Sequence, residues 1–320
     1  MQNYSDIQKF LHDFVLSKRF INKSLFEIEK IVYLKNKDIK NKLHIFVTSL
    51  PRSGTTSILN FIYSSEQYAS LTYKNMPFIL SPNFSKLFNK KNIPAKERLH
   101  GDGITFDINS PEALDEIFFN YDDDFIENEL VNYIQLILLS EKKDQYLSKN
   151  NLNFKRIDLI KSILPNSKFI IPIREPLQHA YSLLNQHLHF IRLQKKDDFI
   201  KRYMNYLGHN EFGLNHKPWN EPKNFTDTRN INYWLEQWYL FYQNILNNYQ
   251  SYDNCFFVIY EELVDPNYLK ILIKKINFIK NEKFKLNLSY FKNSNKKDIN
   301  IAYSKDTYEN AKNLYEKFKF

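Results

Sequence analysis

Residues 42–65, KLHIFVTSLPRSGTTSILNFIYSS, constrain this chain more than any other stretch. Leu43 to Val47 is a short apolar run bounded by polar residues, which reads as a buried strand. Ile58, Leu59 and Ile62 then recur at helical spacing. A strand that passes through small residues into a helix start is an anion site. The first helical N–H groups have no intrahelical acceptor, and the helix dipole adds partial positive charge there. Gly54 lets the backbone approach a ligand, Arg52 brings a permanent charge, and Thr55, Thr56 and Ser57 add donors. With Ser53, these residues read as a phosphate cradle. It is not the nucleoside-triphosphate loop GxxxxGK[ST], because Thr55 stands where the lysine belongs and the upstream glycine is missing. A kinase would need that lysine and a magnesium-holding set.

A second constellation follows the apolar run Lys168 to Ile173. Arg174 closes that predicted strand, Pro176 suits a first helical position, and Ser182 falls about two turns into the helix. Arginine offers a fork of donors to a phosphate dianion. Ligands of open parallel sheets bind beyond the carboxyl ends of the strands. Two clamps on one sheet edge imply a ligand with two phosphate groups. The competing expectation is that Arg174 pairs with Glu175 or another carboxylate nearby.

The rest of the chain supplies the frame. Helices are expected within 1–40 and at 124–139, 155–164, 176 to about 189, 231–249 and 266–279. Further strands are expected at 69–73, 145–148 and 256–259. Residues 76–94 and 100–112 read as loops, the second followed by a helix capped near Ser110-Pro111, and 205–228 reads as loop-rich. Residues 281–320 read as a tail rich in Lys and Asn. Short continuous apolar strands alternating with helices predict an α/β fold with a mainly parallel sheet covered on both faces. No repeat or linker divides the chain, so one domain over 1–320 is expected, with its core at about 43–266.

Aromatic residues make up 16% of the chain, enough for a sizeable core, and the net charge of +9 is spread along polar segments. That distribution fits a solvated surface better than a nucleic-acid face. The single cysteine, Cys255, lies in an apolar run and reads as a buried thiol; it excludes an intrachain disulfide and a cysteine-rich metal site. No signal-peptide core and no apolar run of about 20 residues is seen, so a cytoplasmic protein without a transmembrane segment is expected.

The pattern LPRSGTT after one strand and IPIREPLQHAYSLL after another resembles the sulfotransferases that use 3′-phosphoadenosine 5′-phosphosulfate (PAPS). VIYEELVDP, residues 258–266, is similar to a strand and helix start late in that family. PRSGTT is most similar to the carbohydrate and protein branches, while ASLTYKNMPF, LHGDGI and LGHNEFG look like bacterial members. The resemblance covers about residues 43–266. It implies a P-loop-NTPase-like sulfotransferase fold and a metal-free transfer of sulfuryl from PAPS to an acceptor hydroxyl, on a carbohydrate or glycolipid. It implies that Arg52, Ser53, Gly54, Thr55, Thr56 and Ser57 hold the 5′-phosphosulfate, and that Arg174 and Ser182 hold the 3′-phosphate. Arg52 and Lys149 would neutralise charge at the leaving group.

The general base departs from the family pattern. Cytosolic members carry a histidine two residues after the lysine, and here that position is Asn151; tyrosine-sulfating members use a glutamate after the cradle helix, and the region around Thr72 offers none. His100, beside Asp102, is the expected base, because a near-neutral pKa suits proton transfer. Asp102, Asp107, Glu112, His209 and Glu211 are the alternatives. His209, Glu211, His216 and Trp219 are the expected acceptor-site residues, Trp234 and Trp238 read as helix packing, and His179, His187 and His189 as helix-face residues. The rival functions are a small-molecule or nucleotide kinase and a nucleotide- or polyanion-binding protein without catalysis.

Overall fold

The computed structural model describes residues 6–35, 37–87, 96–97, 105–276, 287–292 and 296–319. Its centre is a parallel sheet of β1 (His44–Val47), β2 (Tyr68–Ala69), β3 (Gln145–Lys149), β4 (Ser167–Ile173) and β5 (Cys255–Ile259), in the order β2-β3-β1-β4-β5. The sequence turns outward from β1 in both directions. The carboxyl ends of β1, β3 and β4 therefore converge, and this convergence positions the site.

Alternate residues of the strands feed two cores. On one face Phe46, Phe169, Ile171 and Ile173 pack under α5 (Asp123–Glu141), α6 (Ile157–Ile163), α7 (Pro176–Lys196) and α9 (Ile231–Tyr249). On the other, Ile45, Val47, Ile170 and Val258 meet α3 (Thr55–Tyr63) and α10 (Pro266–Lys275) through Ile58, Leu59, Leu269 and Ile273. Burial on both faces is why these strands read as continuous apolar runs. The N-terminal helices α1 (Asp6–Leu16) and α2 (Arg19–Tyr33) lie on the larger core through Leu16 and Phe26, and Glu29 of α2 accepts from Asn83 N–H and Phe84 N–H at 2.9 Å each. A one-turn helix α4 (Glu116–Phe119) precedes α5.

Several boundaries differ from the sequence reading. The strand expected at 69–73 is only Tyr68–Ala69, followed by a 3-10 turn at Tyr73–Asn75, and the helix expected after Ser110-Pro111 begins at Glu116. Helix α7 continues past His189 to Lys196. The chain turns at Asp197, whose carboxylate caps an unforeseen helix α8 (Asp198–Tyr206) by accepting from Phe199 N–H at 2.9 Å. The larger correction concerns the tail. Residues Lys305–Glu316 form α11, capped by Ser304, with Ala311, Leu314, Tyr315 and then Phe318 buried at i, i+3, i+4 and i+7. The dense Lys and Asn between these positions hid the stripe. Cys255 is buried, as expected, and burial pushes its thiol up to about 12. Among the described residues no helix is long and apolar enough to cross a membrane.

Candidate active site

The turn between β1 and α3 is shaped by two left-handed residues. Arg52 has φ 70° and Gly54 φ 98°. The first conformation costs a non-glycine residue about 1 kcal/mol and is held only where the surroundings over-determine it. They do so here. His179 Nε2–H donates to Pro51 O at 2.7 Å, Ser53 Oγ–H to Leu50 O at 2.7 Å, and Ser49 Oγ–H to Pro172 O at 2.7 Å. Tyr242 OH also reaches Pro172 O at 3.0 Å and lies 2.9 Å from Ser49 Oγ. His179 is fully buried, and burial pushes its pKa down to about 3, so it stays a neutral donor. Nothing in its helix-face spacing pointed to this role.

The structure brings the two predicted clamps into contact. Arg52 Nε–H donates to Ser182 Oγ at 3.3 Å, and Arg174 Nη1–H donates to Arg52 O at 3.2 Å. They form one continuous line of donors rather than two separate pockets. Arg174 is half-buried, its carbonyl accepts from Trp238 Nε1–H at 3.2 Å, and its guanidinium lies 5.7 Å from the centroid of the Tyr260 ring. Burial disfavours its charged form and Arg52 adds to this, while Tyr260, Glu261 and Glu175 nearby work the other way. The expected rival partner, Glu175, is engaged elsewhere: it caps α7 at Gln178 N–H, 2.7 Å, and accepts from Tyr308 OH at 3.0 Å. Among the described residues no carboxylate forms an ion pair with Arg174. Thr55 is buried with its hydroxyl 3.5 Å from Asn151 Oδ1, and Thr56 and Ser57 are half-buried in the first turn of α3.

The carboxyl end of β3 carries the second half of the site. Lys149 is its last residue, only 8% exposed, with Nζ 3.9 Å from Glu112 Oε1. Glu112 also accepts from Tyr73 OH at 2.8 Å. A buried network anchors this strand end. Asp115 accepts from Asn150 Nδ2–H at 3.0 Å and from the Ser148 hydroxyl, and Asn150 also donates to Glu116 at 2.8 Å. Glu116 is held by a two-pronged Arg156 contact at 2.7 and 2.8 Å. Burial pushes the Asp115 carboxyl up to about 6.

The loop after α8 brings His209 and Glu211 to the same end, with His209 Nδ1 3.6 Å from Glu211 Oε2. Glu236 and Gln237 of α9 hold the loop's backbone through Asn224 N–H at 3.0 Å and Trp219 N–H at 3.0 Å. Two of the expected acceptor-site side chains are engaged within the protein itself. Trp219 is buried against Phe212 and Trp234, and both ring nitrogens of His216 are engaged, by Glu211 O at 2.7 Å and Tyr233 OH at 2.6 Å. Asp107 is turned into a local motif, accepting from Asn109 N–H at 2.8 Å. His100 and Asp102 lie outside the described residues. Among the described residues no group of His, Cys, Asp or Glu is placed to hold a metal ion.

This strand–turn–helix and its arginine line gather anion donors at the carboxyl edge of a parallel sheet. The sulfotransferase family model matches residues 44–267, most of the chain, and the chain belongs to the sulfotransferase family. It is similar to the crystal structure of the sulfotransferase STF1 from Mycobacterium tuberculosis, at 12% identity over 87% of this chain and 79% of that one, with a TM-score of 0.50. It is also similar to the sulfotransferase STF9 from Mycobacterium avium, at 10% identity over 98% and 78%, TM-score 0.46. The sulfotransferase domain of the Synechococcus PCC 7002 olefin synthase matches at 16% identity over 90% and 98%, TM-score 0.38. No curated protein sequence matches the chain. The fold is the P-loop-like α/β fold of the sulfotransferases.

Proposed function

We propose that this protein transfers the sulfuryl group of PAPS to an acceptor hydroxyl, on a carbohydrate or glycolipid. The observation that carries the reading is Arg174: a desolvated guanidinium with no carboxylate pair among the described residues, lined up with Arg52 and Ser182 beside a helix N-terminus. A buried charge of this kind is costly unless an anion completes it. The donors fit a nucleotide with a 5′-phosphosulfate at the start of α3 and a 3′-phosphate at Arg174 and Ser182. PAPS supplies the activated sulfur and a stable phosphate leaving group. Arg52 and Lys149 balance the charge that gathers on the departing phosphate, which is the larger part of catalysis in such displacements. The sheet with its two shared cores supports one domain spanning the chain. The carbohydrate or glycolipid acceptor rests on the similarity of PRSGTT to those branches.

Calorimetric titration with 3′-phosphoadenosine 5′-phosphate, AMP, and ATP with magnesium tests the proposal. Binding that needs the 3′-phosphate and no magnesium supports it. A preference for ATP with magnesium would sink it in favour of a kinase, and binding of none would leave a fold without this activity.

A further inference from the structure

We propose that His209, oriented by Glu211, is the group that takes the proton from the acceptor hydroxyl, facing a centre it shares with Lys149 and Glu112. This rests on the sulfuryl-transfer reading above. Three segments converge on the centre: the stretch before α4, the end of β3 and the loop after α8. The Lys149–Glu112 pair at 3.9 Å and the His209–Glu211 pair at 3.6 Å are brought to one end of the sheet by Gly208, which packs on Glu116, itself an acceptor of Asn150 beside Lys149 at 2.8 Å. Side chains of Lys149, Glu112 and Glu211 are 9%, 9% and 10% exposed, whereas His209 is 28% exposed. The imidazole is thus the member of the group open to a substrate. Three ionisable groups withdrawn from water behind a more open imidazole contribute little to stability and mark a site.

The loop is fixed tightly enough to aim a side chain. Gly208 has φ 71°, and a Cβ there would come 2.7 Å from Glu116 Cγ, while His209 N–H donates to Met204 O at 2.9 Å. Glu116 is itself locked by Arg156. With Nδ1 turned to Glu211, Nε2 is the nitrogen left to act. In the step, the acceptor O–H proton passes to Nε2 and the acceptor oxygen forms the new O–S bond. The S–O bond to the nucleotide phosphate breaks, and its electron pair stays on that phosphate, beside Lys149. The imidazolium then pairs with the Glu211 carboxylate. Burial works against the charged imidazole, but Glu211 outweighs it, so the His209 pKa lies above its ordinary value and that of Glu211 below.

The test uses the full chain, with histidine ring nitrogens followed by NMR from about pH 5 to about pH 9. The His209 signal is assigned by its loss in His209→Gln. Its titration is expected to drop in Glu211→Gln and to rise by about half a pH unit with saturating 3′-phosphoadenosine 5′-phosphate, whose phosphate charge arrives nearby. PAPS consumption with water as the acceptor is expected to fall on the order of a hundredfold in His209→Gln. A His209 titration indifferent to bound nucleotide, or full consumption in His209→Gln, overturns the assignment. Absence of nucleotide binding to the unaltered protein overturns the sulfuryl-transfer reading itself, and this assignment with it.

Discussion

The ring of Tyr260 lies across Gly54, so closely that a Cβ at residue 54 would sit 2.2 Å from Tyr260 Cδ2. Tyr260 follows β5, on the far side of β4 from β1, and its ring sits over the N-terminus of α3 and near Arg174. The last strand of the sheet thus closes the cradle formed by the first.

Gly54→Ala meets two obstacles, a left-handed φ of 98° and the Tyr260 ring. Unfolding free energy should fall by about 1–3 kcal/mol, and affinity for 3′-phosphoadenosine 5′-phosphate should fall with it. Adding Tyr260→Ala relieves the clash but not the φ strain, so it should recover part of the loss. Denaturant titration and calorimetry of both variants check this. A Gly54→Ala protein that binds as tightly as the parent would show that the ring contact does not shape the cradle.

Arg174→Ala should weaken binding of 3′-phosphoadenosine 5′-phosphate on the order of a hundredfold, since a charged hydrogen bond contributes about 1.5–3 kcal/mol. AMP, which lacks the 3′-phosphate, should lose far less. Arg174→Lys should restore only part of the affinity, because an ammonium cannot reproduce the planar fork. Equal losses for the two nucleotides would refute a 3′-phosphate role.

The C-terminal helix reaches the site through two tyrosines. Tyr308 OH donates to Glu175 Oε1 at 3.0 Å and Tyr315 OH to Glu261 Oε2 at 2.9 Å, while Glu261 Oε1 accepts from Glu175 N–H at 2.9 Å. Glu175 and Glu261 are the residues next to Arg174 and Tyr260. Changing both tyrosines to Phe keeps the apolar packing and removes both donors. Nucleotide affinity should drop about fivefold, at a stability cost of roughly 1 kcal/mol per lost bond. Unaltered affinity in calorimetry would make α11 a packing element only.

Acid should destabilise the fold through buried neutral histidines. His44 donates from Nε2 to Ile39 O at 2.9 Å and accepts Tyr146 N–H on Nδ1 at 3.1 Å, so protonation would break the second bond. Burial pushes its pKa down to about 4. A depressed value means the contribution is whole above the unfolded pKa of about 6.5 and is lost as pH falls through about 4. At about pH 5 the loss from His44 is about 2 kcal/mol relative to neutral pH. His187, also about 4, and His179, about 3, act in the same direction. Denaturation at about pH 7.5 and about pH 5 should show a smaller pH difference in His44→Gln than in the parent; an identical difference would exonerate His44.

The strand–cradle–helix at 42–65, the Arg174 turn and helix α9 over Ile231–Tyr249 were legible from the chain alone. Each is local: a run of apolar residues fixes a strand buried on both faces, and a glycine among small residues at a helix start leaves its N–H groups free. Helix α11 carried its stripe of Ala311, Leu314, Tyr315 and Phe318 in the sequence too, but nothing local said what would bury it. Tertiary structure alone decided that His179 carries the Pro51 carbonyl, that Tyr260 covers Gly54, and that Gly208, beside His209, packs on Glu116 near the end of β3. Those contacts depend on the strand order and on loops pinned by distant side chains. Spacing along a sequence encodes what lies within a helix turn or a strand; which chain ends share one sheet edge follows only from the packed whole.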